Sequence, residues 1–341
     1  MHDRVTRTSG ILAALLTLAG CGSSPRSLEP PSGSERNERT MERNAMNRSD
    51  ADLPDFDRFW NYSDPAGTRT RFLEIEGAAA KDADTGYRGE LLTQIARTYG
   101  LEGNPDEAHH VLNQVKSMLP EGTPRLRVRY LLERGRATNT GGNRAGSVPF
   151  FDEAWELART EGLEFHAVDA AHMLGIVHEG DASIAWNERA MQYAEAASDP
   201  RAQNWLGALY NNLGWTYHEL GRYEDALGLW QKCLAFHEER ESPLRPRLIA
   251  RWTIGRGLRS VGRLAEALES QEALLATYVL EGQEEDGFVT EEIAECLHAL
   301  GRHDQARPLF ARAHAKLAKI GWVAKDTSRL ERLAKLGAVG E

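Results

Sequence analysis

From about residue 89 to 320 the apolar positions recur three and four residues apart, the spacing of a helix face, and the whole set returns about every 40 residues. The clearest copy places Tyr210, Leu213, Gly214 and Tyr217 on one face, then Leu220-Gly221-Arg222, then Ala226 and Trp230. Ile254-Gly255, Leu258, Gly262-Arg263 and Ala267 repeat it, as do Ile293-Ala294, Leu297, Gly301-Arg302, Ala306 and Phe310. Upstream it reads Ile95-Ala96, Tyr99, Gly103, Ala108 and Leu112. Weaker copies run through Gly135, Ser147, Phe151 and Ala154 and through Leu174-Gly175, Ser183 and Ala190. The small residue marking each unit falls at Ala96, Gly135, Gly175, Gly214, Gly255 and Ala294, at intervals of 39, 40, 39, 41 and 39.

Each unit predicts two antiparallel helices that approach closely at the small residues, with the large side chains filling the space between them. Gly221, Gly262 and Gly301 are placed to end a first helix in the left-handed conformation that glycine tolerates. Glu224 and Asp225 then fall at the positive end of a second helix. In the third unit the step from Gly175 to Ser183 is 8 residues against 12 elsewhere, which predicts a shortened hairpin. Ser63-Asp64-Pro65 reads as a helix start, with Phe72, Ile75 and Ala79 forming one apolar face of an N-terminal cap. Leu330, Leu333 and Leu336 within 326–336 predict a closing helix.

The spacing aromatic-x2-Leu-Gly-x2-Tyr followed by Ala-x3-aromatic resembles the tetratricopeptide repeat (TPR) over residues 89–320. The unit is roughly six residues longer than the usual 34, a length that also suits HEAT-type repeats, but the small-residue spacing favours TPR. The resemblance implies an all-α, right-handed superhelical solenoid of about six helix-turn-helix repeats with capping helices at both ends and a concave groove. In that family the groove is lined by the second, fifth, ninth and twelfth positions of each unit. Carried over, these are Arg97; Arg129, Arg136 and Asn139; His172; Asn211, Trp215 and His218; Trp252, Arg256 and Arg259; and Glu291, Glu295 and His298. Trp215, Trp252, Arg256 and Arg259 are the side chains that would anchor a protein or peptide partner, since Trp and Arg dominate binding hot spots and Arg forks onto carboxylates. The same tryptophans could instead pack between neighbouring units. The Lys and Asn pattern by which TPR clamps hold chaperone tails is not matched.

Ahead of the repeats, Arg4 and Arg7 precede an apolar run, Ile11 to Ala19, too short to cross a bilayer core of about 30 Å. Leu18-Ala19-Gly20-Cys21 resembles the lipobox of bacterial lipoproteins, which implies lipidation of Cys21. Gly at position 22, rather than Asp, implies sorting to the outer membrane. Residues 22–52 are polar and Pro- and Ser-bearing, a composition that cannot bury a core and reads as a tether. The expected organisation is a signal peptide at 1–20, a lipid-anchored linker at 21–52, a capping region at 53–88, the array at 89–320 and a closing helix at 321–341. Translation from Met41 or Met46 would instead give a cytoplasmic protein.

The 341 residues are 41% hydrophobic and carry a formal net charge of −10, which makes non-specific nucleic-acid binding a poor expectation. No glycine loop ends in Gly-Lys-Ser/Thr, and His218-Glu219 and His237-Glu238 lack the second histidine of a zinc-protease helix. His166, His172 and His178 step about 240° around a helix, so they do not converge on a metal. Cys233 and Cys296 fall in different units and read as packing residues, and His109-His110 as solvated surface. The expectation is a scaffold without catalysis, metal or cofactor, binding a protein or peptide partner in the cell envelope; the alternative is a cytoplasmic peptide-sensing module.

Overall fold

The computed structural model describes residues 53–79, 85–121 and 123–338. Cys21, the apolar run, the linker, Met41 and Met46 lie outside the described residues. Every regular element among the described residues is helical. The fourteen principal helices are α1 (Pro65–Ala79), α2 (Thr85–Leu101), α3 (Pro105–Met118), α4 (Pro124–Thr140), α5 (Arg144–Thr160), α6 (Glu164–Val177) and α7 (Gly180–Ala196), followed by α8 (Leu206–Glu219), α9 (Tyr223–Glu239), α10 (Leu244–Ser260), α11 (Leu264–Leu280), α12 (Gly287–Ala299), α13 (His303–Leu317) and α14 (Thr327–Gly337). A 3-10 turn, Phe56–Phe59, precedes them, and a one-turn helix, Pro200–Gln203, follows α7. The helices form two compact units, one ending at Trp205 and one beginning at Leu206.

Within each unit, helices pack as consecutive pairs: α2 with α3, α4 with α5 and α6 with α7 in the first, and α8 with α9, α10 with α11 and α12 with α13 in the second. Within a unit, the later first helices also pack on the second helix before them, as α4 does on α3, α6 on α5, α10 on α9 and α12 on α11. The predicted close approaches are there. A Cβ on Gly135 would sit 2.6 Å from the Phe151 ring, and one on Gly175 would sit 2.6 Å from the Asn187 amide. Trp230, fully buried, lies against Gly214 in the same way. Ala108, Ser147, Ala226, Ala267 and Ala306 are among the buried small residues of the second helices.

The first helices end where expected. Gly221, Gly262 and Gly301 have φ of 77°, 83° and 76°. In the third pair only His178 and Glu179 separate the helices, and the left-handed glycine, Gly180, opens the second one. Ser183 Oγ donates to the Gly175 carbonyl at 2.6 Å, so this shorter hairpin is tied across its own turn. Side-chain caps start several helices: Asp64 accepts from the Gly67 N–H at 2.9 Å and Asn143 from the Gly146 N–H at 2.9 Å. Asp286 accepts from Phe288 and Val289, and Asp326 starts α14. Phe72 and Ile75 of α1 are buried, as is Leu333 of α14, with Leu330 and Leu336 packed on the same cluster. The side chain of Ala79 lies outside the described ones. No helix among the described residues is long and apolar enough to cross a membrane.

Candidate functional site

In the unit ending at Trp205, the first helices α2, α4 and α6 carry ion pairs one repeat apart. Arg97 Nη1 donates to Glu133 Oε1 at 3.1 Å, Arg136 Nη1 reaches the same oxygen at 2.6 Å, and Arg136 Nη2 also meets Asp169. Glu90 accepts from Arg125 Nε at 2.8 Å and lies 3.5 Å from Arg129 Nε. Arg129 forks onto Asp57 of the 3-10 turn. Burial pushes the Asp169 carboxyl up, but Arg136 and Arg97 outweigh it and hold the group below the usual carboxylate range. Burial, aided by Arg129, pushes the His166 imidazolium down to about 3, so the ring is neutral. His172 is lowered too, chiefly by burial, and its ring lies 5.3 Å from that of Trp205. Asn139 is half-buried near the end of α4.

The unit from Leu206 on has an aromatic file of its own. Trp215, 6% exposed, lies edge-on to Trp230 at 5.0 Å and 5.7 Å from Trp252. Trp252 lies 5.8 Å from Phe288, whose carbonyl accepts its N–H at 3.2 Å, and Phe288 stacks on Trp322 at 5.7 Å. Beside this file Arg256 and Arg259 converge on Glu292, with Arg259 Nε 2.8 Å from Oε2. Burial pushes Glu292 up, but Arg256 and Arg259 outweigh it, holding the carboxyl at about 2. His218 Nε2 lies 2.8 Å from Ser260 Oγ, and Asn211 lends its carbonyl to the Trp230 N–H at 3.3 Å. Glu291 and Glu295 pair with Arg329 and Arg332 of the closing helix, and His298 meets His303 at 3.0 Å.

Arg97, Arg136 and His172 therefore belong to one unit, and Asn211, Trp215, His218, Trp252, Arg256 and Arg259 to the other. All lie on first helices. Each arginine among them is already engaged by a carboxylate, and Trp215 is enclosed by other aromatics. Composition hid this, because a ladder of paired charge needs positions one unit apart to be compared. The signal was present in Arg97 with Glu133, Arg136 with Asp169 and Arg256 with Glu292, at separations of 36, 33 and 36 residues. The Asp57–Arg129 contact spans 72 residues and had no such signal. His109, read as solvated surface, is partly buried with Nδ1 2.8 Å from Arg134.

Chemically, these helices offer aromatic edges and guanidinium groups already paired with carboxylates. Cys233 and Cys296 are free but buried, and burial pushes both thiols up to about 12, so they stay protonated at neutral pH.

Residues 206–240, the pair α8 and α9, match the tetratricopeptide repeat family. No curated protein matches the sequence. Among solved structures the chain is similar to a signal transduction ATPase with numerous domains and a tetratricopeptide repeat sensor from Pyrococcus horikoshii, with TM-score 0.64 and 15% identity over 81% of this chain and 43% of that one. It thus spans less than half of that protein's length. It is similar to RapI in its apo form, with TM-score 0.63 and 11% identity over 82% of this chain and 84% of that one. The apo quorum sensor NprR from B. thuringiensis gives a TM-score of 0.51 and 15% identity over 82% and 79% of the two chains. Consecutive packed helix pairs, the matched repeat at 206–240 and these likenesses show a TPR-like fold.

Proposed function

We propose that the chain is a non-enzymatic binding module that holds an extended segment of another protein, or a peptide, along the face of its first helices. The observation that carries this reading is a set of half-buried polar and aromatic side chains on first helices of the unit from Leu206 on: Asn211, His218, Trp252, Arg256 and Arg259. Trp and Arg are enriched where partner proteins are held, which favours a segment laid along these helices. The similar folds include a tetratricopeptide repeat sensor and a quorum sensor, which supports a binding role.

The module works in the cell envelope, tethered by lipid on Cys21 and facing the periplasm from the outer membrane. Support comes from the apolar run that ends on Cys21 and the polar stretch behind it. Met41 and Met46 support the other reading, a cytoplasmic peptide-sensing module, and incorporation of a fatty-acid analogue at Cys21 separates the two.

A photo-crosslinking residue at Trp252 or Arg256 tests the binding face, with exposed Glu272 on a second helix as the control. The expected result is one crosslinked partner from both first-helix positions and none from Glu272. Equal crosslinking from all three would overturn the assignment of the face.

A further inference from the structure

Residues 53–62, ahead of α1, lie across the first helices of their own unit. Asp57 presents both carboxylate oxygens to Arg129, at 3.1 Å for Nη1. Phe56 is buried edge-on between Phe72 and Tyr87, at 6.2 and 5.3 Å, and 5.5 Å from the Arg129 guanidinium. Trp60 donates its N–H to Gln94 at 3.1 Å and carries Tyr62 stacked on it at 4.7 Å. The Arg97 guanidinium lies 6.0 Å from the Trp60 ring. Apart from the Tyr87 hydroxyl donating to the Pro54 carbonyl at 2.9 Å, the segment is held on α2 and α4 by its side chains. Its fixed end is Asn61, whose N–H and carbonyl both bond Thr68 of α1 at 3.1 Å.

The two sides of this contact are unequally exposed. Arg129 has a side chain only 8% exposed, while that of Asp57 is 38% exposed. Without Asp57, the nearest carboxylate left to the buried guanidinium would be Glu90, at 3.5 Å, and Glu90 is shared with Arg125, with Glu133 acting from farther away. The seat therefore requires a carboxylate, because a buried charge left unpaired is costly. A second polar group has no partner in it: His166 Nε2, buried on α6, where Asp57 and Arg129 both act on the ring. The segment in the seat is thus the outer, more accessible partner, hinged at Asn61.

We propose that this seat recognises a segment of a partner protein that forms a single 3-10 turn and bears a carboxylate with one aromatic residue immediately before it and another three residues after it, and that the chain's own Phe56, Asp57 and Trp60 occupy the seat as an internal competitor. The inference rests on the reading of the first-helix face as a segment-binding surface. Arg129 and Gln94 supply the polar contacts, and Phe72 with Tyr87 supplies the aromatic slot. An incoming segment gains what the resident one gives up, so binding in trans is weak until residues 53–60 are displaced.

The test uses a fluorescent peptide with the sequence of residues 53–62 and the full chain. The wild type should bind it at least tenfold more weakly than a chain carrying D57N and W60A together, and a peptide with Asn in place of its second Asp should lose that binding. Equal affinity for both chains, or no dependence on the carboxylate, would overturn the inference. If the double variant melts, hydrogen exchange in the wild type decides. Excess peptide should speed exchange of amides 55–60 while α2 and α4 stay protected. Unchanged exchange at saturating peptide would make the segment a fixed part of the fold and end the proposal. Should crosslinking from Trp252 and Arg256 persist while the peptide fails, this inference falls and the binding reading stands.

Discussion

Removing the indole of Trp215 would leave a hole bounded by Trp230, Trp252 and His218, whose rings lie 5.0, 5.7 and 5.6 Å away. Trp215→Ala should cost about 3–5 kcal/mol in urea unfolding, as large-to-small changes in packed cores do. A cost below about 1 kcal/mol would mean the ring does not hold the pair together. Glu292 makes a different demand. It is nearly fully buried between Arg256 and Arg259, whose side chains are 32% and 20% exposed. Deleting one member of such a cluster strands the others' charge, and E292A should destabilise by about 3 kcal/mol. Replacing all three, with E292L, R256M and R259M, should recover most of that loss. If the triple variant is no more stable than E292A, the arginines are not confined by their partner and the ladder is a surface feature.

At the scale of the helix pair, stability depends on the turns. Gly301 has φ 76° and open space around its missing Cβ, so Gly301→Ala introduces backbone strain without a clash. It should cost about 1–2 kcal/mol, the penalty for an L-residue in the left-handed region. Gly77, within α1 and also surrounded by open space, is the contrast: Gly77→Ala should stabilise by up to about 1 kcal/mol. These turns, the small-residue contacts and the short third hairpin could be seen in the sequence because each is set by residues a few positions apart. The rungs between repeats could not. Glu133 reads as an ordinary solvated helix residue until Arg97 and Arg136 are placed beside it. The 3-10 turn at Phe56–Phe59 was invisible for the same reason, since its aromatic and carboxylate contacts lie on α1, α2 and α4. The position list for the first helices did find residues that share a face in each unit. It could not tell that most of their charge is already balanced by neighbours.

For the molecule as a whole, the buried histidines couple stability to mild acid. His166 in one unit has its proton affinity pushed down to about 3 by burial and then by Arg129, with Asp169 and Asp57 opposing and Arg201 adding. His218 in the other is pushed down to about 4 by burial, then by Arg256 and Arg259, with Glu292 opposing. The ordinary imidazole value is 6.5 for both. Between 6.5 and these lowered values the unfolded chain binds protons that the folded chain refuses, so stability rises with pH there. At pH above 6.5 neither ring is charged in either state and this contribution vanishes. Glu292 acts lower down. Its carboxyl is at about 2 when folded against an ordinary 4.5, so its stabilisation is complete above pH 4.5 and is lost as pH falls toward 2. Glu291 works the other way, because burial outweighs Arg329 and raises its carboxyl, which softens the acid limb. The melting temperature should therefore be level from pH 8 to about 6.5 and fall steadily below it, before the carboxylates titrate. H166Q with H218Q, which removes both rings' protons from the balance, should reduce the slope between pH 6.5 and 4.5, leaving the part due to His109, His172 and His237, which burial also lowers, and the steeper loss below 4.5. A double variant that follows the wild-type curve through that interval would place the acid sensitivity in groups other than these two rings.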